Sequence, residues 1–331
     1  MNGGCVNLTR RRAFLLGAAS VATGGCLRCD ETKQRCAVSL ASVEESVRLS
    51  VPWFRGTCRF MVIGDSHLAI DDERGKPFVE FSRRMSGGYN VARNFKTGQE
   101  MKSPGGFEFA LAEARKRGVD FIALVGDIVS FPSEAGIEYV AARMKECGIA
   151  WMYTAGNHDW HYEGLPGTEV ALRAEWTKRR LAPLYNGRNP LMSSCVVKGV
   201  RFVFIDNSTY EILPEQLEYF NAEAAMGDPI ALMVHIPLCM PGYSVREAGC
   251  AHPEWCAETD VHWKVERRPR WPATGHSQTT FAFRQAVVST RNLLGVFAGH
   301  EHMRQFAFDN GVIQCVTGTN ADGSFLEVSV N

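Results

Sequence analysis

The chain has 331 residues, with 36 lysines and arginines balancing 36 aspartates and glutamates, so its formal charge is zero. That length allows one large or two modest domains with a substantial core. The charge balance argues against a dedicated nucleic-acid binder, which shows a basic surplus, and no low-complexity tract or repeat is evident.

Residues 9–26 read TRRRAFLLGAASVATGGC. An arginine cluster (Arg10 to Arg12) precedes an apolar run from Ala13 to Ala22, shorter than the roughly 20 residues that span a bilayer. This pattern predicts an export signal over residues 1–26, the alternative being a disordered basic tail. Arg11-Arg12-Ala13-Phe14-Leu15 resembles a twin-arginine signal. Gly24-Gly25-Cys26 resembles a loose lipobox, imperfect at Thr23, whose Cys26 would carry a lipid and anchor the protein to a membrane. The expected location is therefore the periplasm or cell envelope. Residues 27–55 are polar and mixed, which predicts a linker ahead of the folded body. Of 11 cysteines, Cys29 with Cys36 and Cys250 with Cys256 are the pairs able to form a disulfide in an oxidising compartment. The paired spacing of a zinc finger is absent, and most of the others read as buried apolar residues.

From Cys58 onward apolar runs alternate with amphipathic segments. Strands are expected at 60–64, 121–126, 150–155, 230–234 and 293–298, with a hairpin over 193–206 turning at Lys198-Gly199. Helices are expected at 107–117 and 134–147, each followed by a glycine. Further helices run from a Thr168 cap to about 181, from Pro214 to near 227, and from Thr279 or Thr280 to 289. Strands at 306–308, 312–316 and 325–330 end the pattern. Such alternation predicts an α/β protein with sheets inside and helices outside. Only about 240–278, rich in Pro, Gly, Trp and charge, breaks the rhythm, and a loop of that length is commonly functional or mobile.

The polar residues that follow the strands carry the chemistry. Asp65-Ser66-His67 follows the first, Asp127 the second, and Gly156-Asn157-His158-Asp159 the third. His235 follows IALMV, and Gly299-His300-Glu301-His302 follows LLGVFA. One aspartate after a strand is usually a turn former. Five coincident events, all carboxylate, amide or imidazole, instead suit a hard to borderline divalent metal such as Mn, Fe or Zn, at the strand ends where open α/β sheets build sites.

In order, these blocks resemble the signature of the calcineurin-like metallophosphoesterases over residues 58–310. The resemblance implies a four-layer αββα sandwich, two central mixed β-sheets flanked by helices, with a domain spanning 56–331 and a long insertion at 240–278. It implies two divalent metal ions (Mn, Fe or Zn), one held by Asp65, His67, Asp127 and His302. The other would take Asp127, Asn157, His235 and His300, with Asp127 bridging. His158 would contact phosphate and donate a proton to the leaving oxygen, and Asp159 would orient its imidazole. Glu301 is expected to turn away. Trp160, His161 and His276 are candidates for the pocket wall or for ordinary structural roles. Arg83, Arg84, Arg93, Lys96 and Lys102 either attract phosphate or are exposed basic residues. Purple acid phosphatases carry a tyrosine three residues after the bridging aspartate, where this chain has Ser130, which argues against an Fe(III)–tyrosinate site. The implied activity is hydrolysis of phosphomonoesters or phosphodiesters, of small-molecule or diester substrates, with no specific nucleic-acid binding and no evident protein partner. A non-catalytic metal-binding or interaction module of the same fold is the alternative.

Overall fold

The computed structural model describes residues 39–331 apart from positions 44, 53, 91, 247, 248, 261, 262, 270 and 271. The expected export signal, Cys26 and the Cys29–Cys36 pair lie outside the described residues. No helix among those described is long and apolar enough to cross a membrane.

Among the described residues, fourteen strands occur in chain order: β1 Ser39–Val43, β2 Ser46–Ser50, β3 Cys58–Ile63, β4 Ala92–Arg93, β5 Glu100–Met101, β6 Phe121–Val125, β7 Trp151–Thr154, β8 Met192–Val197, β9 Val200–Ile205, β10 Ile230–Met233, β11 Leu293–Ala298, β12 Gln305–Asp309, β13 Val312–Val316 and β14 Leu326–Val330. The helices are α1 Val79–Ser82, α2 Met85–Gly88, α3 Ser103–Arg117, α4 Glu134–Cys147, α5 Glu169–Trp176, α6 Ala182–Tyr185, α7 Pro214–Ala225 and α8 Gln278–Ser289. Two six-stranded mixed sheets result, one ordered β1-β2-β14-β3-β6-β7 and the other β12-β13-β11-β10-β9-β8.

The apolar strands are buried on both faces, which is why they read as unbroken hydrophobic runs. In β3, Phe60 and Val62 point into the space between the sheets. There the Phe60 ring meets Phe202 and Phe297 edge-on, at centroid distances of 4.9 and 5.2 Å. Its alternate neighbours Met61 and Ile63 share the outer core with Phe107 and Ala110 of α3 and Ile137 and Val140 of α4. On the second sheet, Val203 and Leu232 belong with Phe220 of α7 and Phe283 of α8. The period-2 alternation of strand side chains thus builds both the sheet–sheet and the sheet–helix layers from one segment. The expected four-layer arrangement is present.

Four expectations change. Residues 39–43 and 46–50 of the expected linker form β1 and β2, and β2 pairs in parallel with β14. The sequence Ser46-Val47-Arg48-Leu49-Ser50 alternates, and Val47 and Leu49 are fully buried, a half-buried strand signal masked by the polar residues around it. Helix α3 begins at Ser103, with Pro104 in its first turn, where a missing amide costs nothing. The helix capped by Thr168 ends at Trp176 and continues as a wider π-type turn, Thr177–Leu181, ahead of Pro183 in α6. Cys250 and Cys256 are free thiols, not a disulfide.

Within the sheets, β3, β6 and β7 run parallel, as do β9, β10 and β11. The carboxyl ends of β3, β6, β7, β10 and β11 therefore lead into the five polar blocks.

Candidate metal centre

Five of the seven residues expected as ligands adopt the left-handed backbone region: Asp65 (φ 57°), His67 (46°), Asp127 (50°), His300 (75°) and His302 (54°). Residues with a Cβ rarely do so, and each instance costs on the order of 1–3 kcal/mol that surrounding structure must offset. An extended strand would send His300 and His302 to opposite faces. The left-handed turns instead bring both side chains back to the strand end. Gly299 serves close approach, not the turn itself: a Cβ there would stand 2.7 Å from Oδ2 of Asp65. Gly126, at φ 86°, lets the β6 and β7 loops touch, because a Cβ would lie 2.5 Å from the Gly156 amide.

The side chains converge. Nε2 of His67 and Nε2 of His302 are 2.9 Å apart, and His302 Nε2 is 3.6 Å from Asp65 Oδ1. Asp127 Oδ2 lies 3.3 Å from His235 Nε2 and 3.9 Å from His67 Nε2. Oδ1 of Asn157 is 3.2 Å from His235 Nε2. His235 Nδ1 donates to the Val125 carbonyl at 2.8 Å, which turns Nε2 toward the cluster. Three groups bring their donor atoms within 4.8 Å of one another: Asp65–His67–His302, Asp127–His235–His300, and His67–Asp127–His158. For bonds of about 2.1 Å, neighbouring ligands on one cation stand roughly 3.0–3.4 Å apart, so the shorter separations here suit donors to a shared ion.

The electrostatics agree with that fit. Burial holds His67 and His300 well below the usual imidazole range and moves His302 to about 4, leaving neutral rings, the form that ligates metals. Burial pushes the Asp65 carboxyl well up, with His235 opposing and the Asp127 charge reinforcing. Asp127 is buried too, yet His235, His158 and His67 together hold it well below the usual carboxylate range. Burial alone would lower His235, but the charge and hydrogen bond of Asp127, the Asp65 charge and the Val125 carbonyl together raise it to about 9, so a cation at Nε2 takes the place of a proton. Two buried carboxylates that repel one another, set among four imidazoles, are a donor set that a divalent cation satisfies.

Asp159 does not orient His158. Its Oδ1 accepts from the Val129 amide at 2.9 Å and its Oδ2 from the Gly156 amide at 2.7 Å, and the ring Nδ1 of His158 has no hydrogen-bond partner. A short carboxylate two bonds from its own backbone is better placed to staple loops than to reach the next ring. The carboxylate that faces His158 comes from the long insertion: Glu266 Oε1 is 3.9 Å from His158 Nε2. Asp159→Ala should therefore act on stability. Stranding two buried amides is expected to cost about 2–4 kcal/mol, read from urea unfolding; an unchanged midpoint would contradict the staple.

Other expectations also shift. Trp160 is buried and donates to Ser208 Oγ at 2.8 Å, and His161 meets the Glu266 carbonyl at 3.1 Å. His276 pairs with Glu211 at 2.9 Å, bonds the Gly249 carbonyl and stacks on Trp255, all structural contacts. Arg84, Arg93 and Lys96 pair with Glu163, Glu100 and Glu45. Glu301, half-buried, is among the residues that line a cavity of about 270 Å³ with Asp127, His158, His300 and His302. The same cavity is walled by residues the sequence did not single out: Tyr89, Tyr210, Glu266 and Arg268. Tyr89 stacks on His67 at 3.9 Å, and the Tyr210 hydroxyl lies 2.9 Å from His300 Nε2. Tyr210 follows β9 and is itself left-handed, at φ 64°. It repeats the strand-end pattern and was missed because it is not an ordinary metal ligand.

Residues 58–304 match the family model of the calcineurin-like phosphoesterases. No curated protein matches the chain. Among solved structures, a dimetal phosphatase from Danio rerio is similar at 12% identity and a TM-score of 0.50, over 82% of this chain and 91% of that one. Purple acid phosphatase PPD1 from seeds of yellow lupin (Lupinus luteus) gives 14% identity and a TM-score of 0.48, over 84% of this chain and 46% of that one. At these identities the likeness is one of fold.

Proposed function

The chain belongs to the calcineurin-like phosphoesterase family, and from that premise we propose that it is a hydrolase of phosphoric esters with a dinuclear metal centre. One cation would be held by Asp65, His67, Asp127 and His302, and the other by Asp127, Asn157, His235 and His300. The observation that carries this reading is the separation of the donors into an Asp65–His67–His302 group and an Asp127–His235–His300 group. Asp127 Oδ2 lies within 4 Å of an imidazole from each.

When bound, two divalent cations (Mn, Fe or Zn) neutralise phosphate charge and lower the pKa of water at the site. The protein's own part is to place and protonate. Asp127 carries the negative charge available to both cations, while the neutral oxygen of Asn157 limits the charge that an anionic substrate meets. His158 is fixed through its backbone, whose amide donates to Asp127 Oδ1 at 2.8 Å, and its ring lines the cavity. We assign it contact with the phosphoryl oxygens and delivery of a proton to the leaving oxygen. Hydrolysis breaks the bond from phosphorus to the leaving alcohol and forms one to a water oxygen. The products are the alcohol, which gains a proton, and the phosphate.

Purified full-length protein supplied with Mn or Zn is expected to hydrolyse p-nitrophenyl phosphate or bis-p-nitrophenyl phosphate. Failure on both across a wide pH range would contradict the enzyme reading.

A further inference from the structure

His158 is assigned the proton transfer, yet its own loop does not hold its ring. Its amide fixes only the main chain, through Asp127 Oδ1 at 2.8 Å, and the Asp159 carboxylate is occupied by the amides of Val129 and Gly156. Nδ1 of the ring is buried and has no hydrogen-bond partner. The second torsion of a histidine side chain is broad and roughly two-fold. Backbone placement alone therefore leaves open which nitrogen the ring turns to the cavity.

The group that meets the ring comes from the loop between β10 and α8. Glu266 Oε1 lies 3.9 Å from His158 Nε2, and among the described residues this is the ring's polar contact within 4 Å. Both residues line the cavity. At that separation the pair is too long for a hydrogen bond, but contacts of this kind commonly tighten in the substrate complex.

Backbone contacts dock this stretch of the loop onto the turn that follows His158. His161 Nε2 donates to the Glu266 carbonyl at 3.1 Å, the Gly164 amide donates to the Arg267 carbonyl at 2.7 Å, and the Arg267 guanidinium donates to the Glu163 carbonyl at 3.2 Å. The second carboxylate oxygen of Glu266, Oε2, stands 3.1 Å from Arg268 Nε. Glu266 is thus held through its main chain and one carboxylate oxygen, while the other oxygen faces His158.

We propose that Glu266 is the positioning residue of His158, holding the imidazole with Nε2 toward the cavity, a task that the adjacent Asp159 does not perform. The inference rests on the phosphoesterase reading, with His158 as the proton donor. Glu266 itself transfers no proton. As the bond from phosphorus to the leaving oxygen breaks, that oxygen takes the proton of His158, and the attacking water releases the proton that replaces it. The carboxylate keeps the ring aligned through both transfers.

The test follows kcat of Mn-loaded full-length protein on paired esters: p-nitrophenyl phosphate with phenyl phosphate, and bis-p-nitrophenyl phosphate with diphenyl phosphate. A nitrophenolate leaves readily as an anion, whereas a phenolate needs more help from an acid. Glu266→Ala is expected to lower kcat on the phenyl ester by about tenfold or more, part of the roughly 10²–10⁴-fold that acid catalysis contributes, and on its nitrophenyl counterpart by less than about threefold. Metal content by elemental analysis should stay at the wild-type value. In a His158→Asn background the same substitution should have no further effect. Glu266→Gln keeps the side chain's shape, which guards against a loop unseated by the smaller residue, and should show the same selectivity with a smaller loss. Equal losses on both esters in both variants, no loss in either, loss of metal, or a loss that persists in the His158→Asn background would overturn the inference while leaving the phosphoesterase reading intact. Inactivity of the wild-type protein on every ester removes that reading and the inference with it.

Discussion

Asp127→Asn is expected to remove both metals and to lower phosphoester turnover by more than the roughly 10²–10³-fold that loss of one electrostatic donor costs. The substitution keeps an oxygen for the His158 amide, which now bonds Oδ1 at 2.8 Å, so the loop contact survives. What disappears is the negative charge that His235, His158 and His67 stabilise in a fully buried carboxylate. Elemental analysis beside a kcat/KM measurement checks the result. A variant that retains two metals per chain would contradict the shared role of Asp127, even if its activity fell.

His158→Asn is expected to behave differently. General-acid catalysis commonly contributes about 10²–10⁴-fold, so kcat should fall by that order while metal content stays at the wild-type value. The comparison is informative because His158 can also approach His67 and Asp127 within 4.8 Å. Loss of metal in this variant would make His158 a ligand, and retained kcat would deny it the proton transfer.

How far the sequence reveals this site depends on the kind of signal. The strand ends were legible because each apolar run stops at an Asp, Asn or His, and the fold brings Asp65, His67, Asp127, Asn157, His235, His300 and His302 into one cluster. The hairpin turn was legible for a similar reason: Lys198 and Gly199 adopt left-handed angles of 47° and 82°, as the two-residue loop requires. Position along the chain was a poorer guide to Asp159. Adjacency to His158 suggested a partner, but the backbone turns its carboxylate onto the amides of Val129 and Gly156. Glu266 and Arg268 were hidden for the opposite reason. They lie about 100 residues beyond His158 in an irregular loop with no periodicity, and only tertiary folding brings Glu266 to 3.9 Å from that ring. Strand β2 was lost because two buried residues, Val47 and Leu49, are a short signal among polar neighbours.

The central claim is a centre that holds two cations. Elemental analysis of purified full-length protein, saturated with Mn and freed of excess metal, tests it most directly. Two metals per chain are predicted, whereas one or none would contradict the dinuclear reading.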